Sequence, residues 1–294
     1  MFKRVHSGVW AFDAEWVPDA DTGRRVYGLA SSMPDREVVD EMFRRGGASD
    51  ENPRPYLKTV LCRLVSVSAL ARTEEDGVVR LQLHSLPTVS DSSAPEAAEE
   101  EILRRFLEGV GRAKPQVVGY NSWSADFRIL LQRSVALGVQ AAEFAKRPDK
   151  PWDGVDYFGG GDWHIDLLEL LAGRGRSRPS LHEMAVTCGI PGKFSGAGDN
   201  VLDMWHAGEL AKIIAYNEFD ALTTYLLWLR VAYFGGFFDT NQYETEQGHV
   251  RELLQREGAR PERAHLREYE AEWDRVRRVD AAVGRQLQFG LTSR

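Results

Sequence analysis

The chain has 294 residues, 43% of them hydrophobic and 28% charged, which suits one large folded domain, or a domain with an appendage, and excludes disordered and fibrous classes. Its formal net charge of -7 argues against a surface attracted everywhere to polyanions, although an enzyme that grips one nucleic-acid end needs cations only near that end. Two cysteines, Cys62 and Cys188, support neither a disulfide framework nor a zinc cluster.

The N-terminal run Met-Phe-Lys-Arg-Val-His-Ser carries no apolar signal region, and no later stretch is long and apolar enough to cross a bilayer, so the expected location is the cytoplasm. Val9 to Trp16 then reads as a buried β-strand that admits two acids near its end. Side chains alternate along a strand, so Asp13 and Glu15 project from one face. Two anions there repel unless a cation sits between them, which fits either a solvated strand exit or half of a divalent-metal site. Residues 17–56 read as an irregular insertion around one short helix, 37–45. A long strand is expected at 60–71 and its hairpin partner at 78–84, across Asp76-Gly77. The segment 95–109 is an amphipathic helix with acids around its first turns, and 116–120 is a short strand; strand, helix, strand implies a parallel crossover.

Gly119-Tyr120-Asn121-Ser122-Trp123-Ser124-Ala125-Asp126 leads into a helix that Ser122 or Ser124 can cap, with Asp126 in its first turn. Asp126 therefore lies just past the C-terminal end of a strand parallel to the first, the edge where open α/β sheets place their sites. Residues 145–163 form a loop whose Gly159-Gly160-Gly161 lacks the Gly-Lys-Ser/Thr of a phosphate loop. His164-Ile165-Asp166-Leu167 ends the loop and begins an apolar helical stretch to Leu171; His164 and Asp166 in it are either metal ligands or hydrogen-bonded structural residues, and no third nitrogen ligand is nearby. Arg174, Arg176 and Arg178 form either a phosphate grip or a solvated loop before a helix at 180–188. A long helix at about 207–233 stacks Tyr216 and Asp220, four residues apart, on one face. Past Gly235-Gly236 the composition shifts to polar helices at 240–257 and 261–287. Their seam of Leu266, Tyr269, Trp273, Val276, Val283 and Leu287 either pairs two chains into a homodimer or packs on the parent domain.

Asp-x-Glu on a strand, Asp at a helix start and Tyr-x-x-x-Asp in a late helix form an ordered set. It resembles the three exonuclease motifs of the DEDD superfamily, tyrosine branch, and in particular those of predicted 3′-5′ exonucleases related to the proofreading domain of family B DNA polymerases. The motifs stand here as Phe12-Asp13-Ala14-Glu15-Trp16-Val17-Pro18-Asp19, Gly119 to Asp126, and Tyr216-Asn217-Glu218-Phe219-Asp220. His164 to Leu167 and Gly189-Ile190-Pro191-Gly192-Lys193 are also similar, and the likeness spans roughly residues 8–235. In one departure, Ser-Trp-Ser-Ala precedes Asp126 where a Gly-containing run is expected.

The resemblance implies an α/β, ribonuclease H-like fold: a mixed five-stranded sheet flanked by helices over residues 1–236, with a helical extension at 237–294. It implies two Mg²⁺ or Mn²⁺ ions per active site, held by Asp13, Glu15, Asp126 and Asp220, with Tyr216 completing the catalytic set. Asp13 would bridge both ions, Glu15 and Asp220 would complete the water-activating site, Asp126 would hold the second ion through its waters, and Tyr216 would orient the attacking water. Expected substrate contacts are Trp16, Asn121, Trp123, Arg176 and Lys193; Trp16, Trp123 and Phe127 either stack a terminal base or pack in the core. The implied activity is hydrolysis from the 3′ end of nucleic acid, single-stranded DNA above all. The alternatives are RNA trimming and a catalytically silent nucleic-acid-binding module of the same fold.

Overall fold

The computed structural model describes residues 2–150, 152–159, 161–173, 177–192 and 201–282. Its β1 (Gly8–Pro18) is the middle strand of five, in the order β3-β2-β1-β4-β5. β2 (Cys62–Glu75) and β3 (Val78–Leu86) are an antiparallel hairpin. Asp76 and Gly77 both have positive φ, as a two-residue turn matching strand twist requires. β4 (Gln116–Gly119) and β5 (His164–Asp166) run parallel to β1 and to each other. The sheet is therefore mixed and the fold α/β, as expected of a ribonuclease H-like protein.

Eleven helices surround it among the described residues. α1 (Ala20–Tyr27) and α2 (Asp35–Arg45) follow β1. α3 (Glu99–Ala113) is the crossover to β4, and α4 (Asp126–Leu137) and α5 (Ala142–Ala145) follow β4. Next come α6 (Leu167–Ala172), α7 (Leu181–Thr187), α8 (Val201–His206), the long α9 (Leu210–Phe234), α10 (Thr240–Gly258) and α11 (His265–Ala282). None is long and apolar enough to cross a membrane.

Alternation along β1 assigns the two sheet faces. Val9 and Ala11 enter a core with Leu222, Leu226 and Trp228 of α9. Phe12 and Ala14 enter another with Met42 and Phe43 of α2, Leu103 and Phe106 of α3, and Phe127 and Leu130 of α4. α9 is buried nearly all round because the sheet takes one side and the C-terminal helices the other. Leu266, Tyr269 and Trp273 of α11 lie in the same core as α9, and Val276 is also buried. These four apolar seam residues are thus packed within the chain; Val283 and Leu287 lie outside the described residues. α10 runs beside β3, the edge strand, where Arg256 donates to the Leu81 carbonyl at 3.1 Å and Arg263 to the Leu83 carbonyl at 3.0 Å. Edge carbonyls that would otherwise invite another strand are thereby occupied.

Three local expectations need correction. The 17–56 insertion holds two helices, and the first escapes a periodicity reading because its contact point is Gly23, where a Cβ would meet Met42 Sδ at 2.5 Å. Residues 164–166 form a strand, too short for an alternation to register. α4 is capped by no side chain; it starts at Asp126 itself, after Ala125, and Ser122 is used elsewhere.

Candidate active site

The third motif meets the first because α9 crosses the sheet face from which Asp13 and Glu15 project. Asp13, Glu15 and Asp220 each offer an oxygen within 4.8 Å of the others. Asp220 is buried and the other two half-buried. Three carboxylates this close repel one another, and a set made only of hard oxygen donors is the ligand chemistry of Mg²⁺ or Mn²⁺. The residues present therefore fit such a cation. Tyr216 lies beside them, 4% exposed, and hydrogen-bonded to Asp220. Burial first, then the charges of Asp220, Glu15 and Asp13, hold its phenol far above the ordinary range, so it stays protonated and able to donate.

Asn217 was not foreseen. Fully buried beside Tyr216, it donates from Nδ2 to Asp13 Oδ2 at 2.7 Å and accepts from Ser66 Oγ at 3.2 Å. Ser66 is opposite Glu15 in the β1–β2 register, and β2 skips Val65 at that step. A bulge there re-aims the strand beside the carboxylates. The signal available was a pair of serines, Ser66 and Ser68, fully buried in an apolar strand.

Asp126 stands apart from the three-carboxylate group. Its Oδ1 accepts from the Ala14 backbone N–H at 3.0 Å, which fixes α4 against β1 where the β1–β4 pairing has ended. Burial above all, with Asp166 and Asp220 adding to it and backbone hydrogen bonds opposing, pushes its carboxyl up to about 7.

The loop before Asp126 is shaped by β5. Asp166 accepts from Asn121 N and Trp123 N, each at 2.9 Å, and also caps α6 through Leu168 N at 3.0 Å. Asn121 adopts φ 62°, and Gly119 has no room for a side chain, since a Cβ would meet Ser122 Cβ at 2.3 Å. Ser122 Oγ pairs with His164 Nε2 at 2.9 Å. His164 is enclosed by the rings of Phe12, Trp123 and Phe127, and burial, with Arg128 secondary, pushes it down to about 4. Of the two readings open for His164 and Asp166, hydrogen bonding is the one they satisfy. Replacing Asp166 by Ala is expected to cost about 1 to 2 kcal/mol in urea unfolding. Asp166→Asn, which keeps one acceptor, should cost about half as much, and equal costs would remove the clamp.

The expected substrate contacts divide. Trp16 is half-buried at the edge of the core beneath α2. Trp123 stacks on Phe127 with centroids 5.5 Å apart and carries the Arg128 guanidinium 4.9 Å above its ring. Arg178 is paired with Glu169. Arg174, Arg176 and Lys193 lie outside the described residues.

A family model described as a predicted 3′-5′ exonuclease related to the exonuclease domain of PolB matches residues 54–273. The chain belongs to this family. No curated protein matches it. The match to the PolB-related exonucleases takes in Asp126, Tyr216 and Asp220 but begins after β1. Asp13 and Glu15 are joined to the exonuclease-family segment by the fold, through β1 lying between β2 and β4.

Proposed function

We propose that this chain is a divalent-metal-dependent 3′-5′ exonuclease that hydrolyses phosphodiester bonds at single-stranded DNA ends. The observation that carries this reading is the convergence of Asp13, Glu15 and Asp220 within 4.8 Å, in a family of predicted exonucleases. Asp13, Glu15 and Asp220 would hold Mg²⁺ or Mn²⁺, two ions per site, with Asp126 as the remaining ligand through water. Such ions supply charge stabilisation to the attacking and leaving oxygens of an in-line displacement.

The side chains contribute the rest. Tyr216, kept neutral, would orient the attacking water through a hydrogen bond at its phenol oxygen. Asn217 fixes the rotamer of Asp13 through the 2.7 Å bond. Asp166 holds the turn that carries Asn121 and Trp123, the contacts proposed for the substrate strand, while Trp16, Arg176 and Lys193 would complete the grip on base and phosphate. Residues 1–236 would form the nuclease domain and 237–294 the helical extension behind α9.

Incubation with 3′- and 5′-labelled DNA and RNA oligonucleotides and Mn²⁺, with and without chelator, tests this. Stepwise release of mononucleotides from the 3′ end, faster on DNA and abolished by chelator, is expected. Chelator-resistant release, release from the 5′ end, or no release overturns the reading.

A further inference from the structure

At the end of the sheet opposite the carboxylates, a cavity of about 340 Å³ opens between the segment that leads into β1 and the loop that leads into β5. Both strands begin here, because β1, β4 and β5 run parallel. Lys3, Arg4 and His6 line one side, and Arg147, Trp152 and Trp163 the other. Asp13 lies five residues past Gly8 along β1, which at about 3.3 Å per residue sets the metal site roughly 16 Å further on. A molecule that fits this cavity does not reach the carboxylates. The volume falls within the range of about 300 to 1,000 Å³ that holds small ligands.

The two walls are tied to each other by the chain itself. The Lys3 backbone N–H donates to Asp162 Oδ1 at 3.0 Å. Fully buried Gln116, at the start of β4, donates from Nε2 to the Arg4 carbonyl at 3.2 Å and to the Asp162 carbonyl at 2.6 Å. Arg147 forks onto Asp156, with Nε at 3.0 Å and Nη2 at 2.9 Å, so these two charges cancel. Gly159 is pressed against that carboxylate, where a Cβ would meet Asp156 Oδ2 at 2.5 Å. The His6 ring lies 4.0 Å from that of Trp163, and its Nε2 is buried without a hydrogen-bond partner among the described residues.

Charge and ring character together select the ligand. The side chains of Lys3 and Arg4 are exposed and in no ion pair among the described residues. With Arg147 and Asp156 cancelled, these two cations face the single carboxylate of Asp162, so the walls are net positive on a chain whose formal net charge is -7. His6 adds no charge near neutral pH: burial first, then Arg4, hold it below its ordinary range against the pull of Asp162. Trp152 is 77% exposed, with the Lys150 ammonium 5.9 Å from its ring centroid. Free guanidinium and ammonium groups suit a phosphate, and an open indole suits a planar ring. A phosphate joined to a flat ring uses both.

We propose that this pocket binds one nucleotide, its phosphate on Arg4 and Lys3 and its base against Trp152, at a site separate from the carboxylates. Nucleotides are the ring phosphates that a family of predicted exonucleases meets. The unit is either a free mononucleotide or one residue of a strand held away from its reacting end, since both present the same ring and phosphate. The pocket needs no metal, so it stands or falls independently of the catalytic reading.

Calorimetric titration of the full chain in chelator tests it, because without a cation the carboxylates repel a phosphate. Thymidine 5′-monophosphate is expected to bind saturably, and thymidine alone or inorganic phosphate alone about tenfold or more weakly. Arg4→Ala and Trp152→Ala, both at exposed positions, should each weaken the monophosphate about fivefold or more. Asp13→Ala should leave its affinity within about twofold, as expected of a distant position. An oligothymidylate of eight residues assigns the source. Tighter binding than the monophosphate, lost in the same two variants, means a strand; equal or weaker binding means a free nucleotide. No saturable binding of either probe, affinities unchanged in both pocket variants, or an affinity lost in Asp13→Ala instead, overturns the site.

Discussion

Exchanging Asp13 or Asp220 for Ala is expected to lower nucleotide release by about three orders of magnitude or more, because several kcal/mol of transition-state stabilisation depends on each. The fold should survive both changes. Each removes one member of a group whose oxygens lie within 4.8 Å, and relieving that repulsion offsets the lost contacts in metal-free buffer. A companion measurement separates the site from the scaffold: Mn²⁺ should raise the melting temperature of the wild type more than that of Asp13→Ala, since only a ligand bound to the native state stabilises it. Undiminished release by both variants, or equal melting shifts, would remove the assignment. Of the two acids, Asp13 has the further role of accepting from Asn217, so its loss also leaves a buried amide without that partner.

What could be read from the residues was what short-range geometry fixes. The two-residue spacing of Asp13 and Glu15 and the four-residue spacing of Tyr216 and Asp220 each define a face before anything else is known. The Asp76-Gly77 turn and the apolar period of α3 are of the same kind. What stayed hidden depends on partners far along the chain. Asn217 reaches Asp13 across 204 residues, and nothing near Asn217 marks it as more than one polar residue in a buried helix. Asp166 looked like a possible ligand until four backbone N–H groups, two of them some 45 positions earlier, were seen to converge on it. α1 was invisible because its packing is made by the absence of a side chain at Gly23.

Asp126→Asn is expected to stabilise the metal-free protein at pH 8 by on the order of 3 kcal/mol, measured by urea unfolding in chelator, while sharply reducing nucleotide release. The sign follows from proton binding. In the folded chain the Asp126 carboxyl holds its proton up to about pH 7, against an ordinary value of 3.8, chiefly because it is buried. Below pH 4 both folded and unfolded chains keep that proton and no penalty arises. As pH rises the unfolded chain ionises first, so wild-type stability falls between about pH 4 and 7 and stays lower above. Asn cannot ionise, yet its Oδ1 still accepts from Ala14 N–H, so the variant escapes the penalty and keeps the bond that sets α4 on β1. His164 runs the other way: pushed down to about 4 from 6.5 by burial, it contributes stability fully above pH 6.5 and loses it as pH falls toward 4. That contribution is common to both proteins and cancels in their difference. A gain that is the same at pH 4 and pH 8, or no gain at pH 8, would mean that Asp126 is not the strained group. If the gain has the expected pH profile, the most buried of the four motif acids is held ionised at a cost in stability, a cost that a bound cation would relieve.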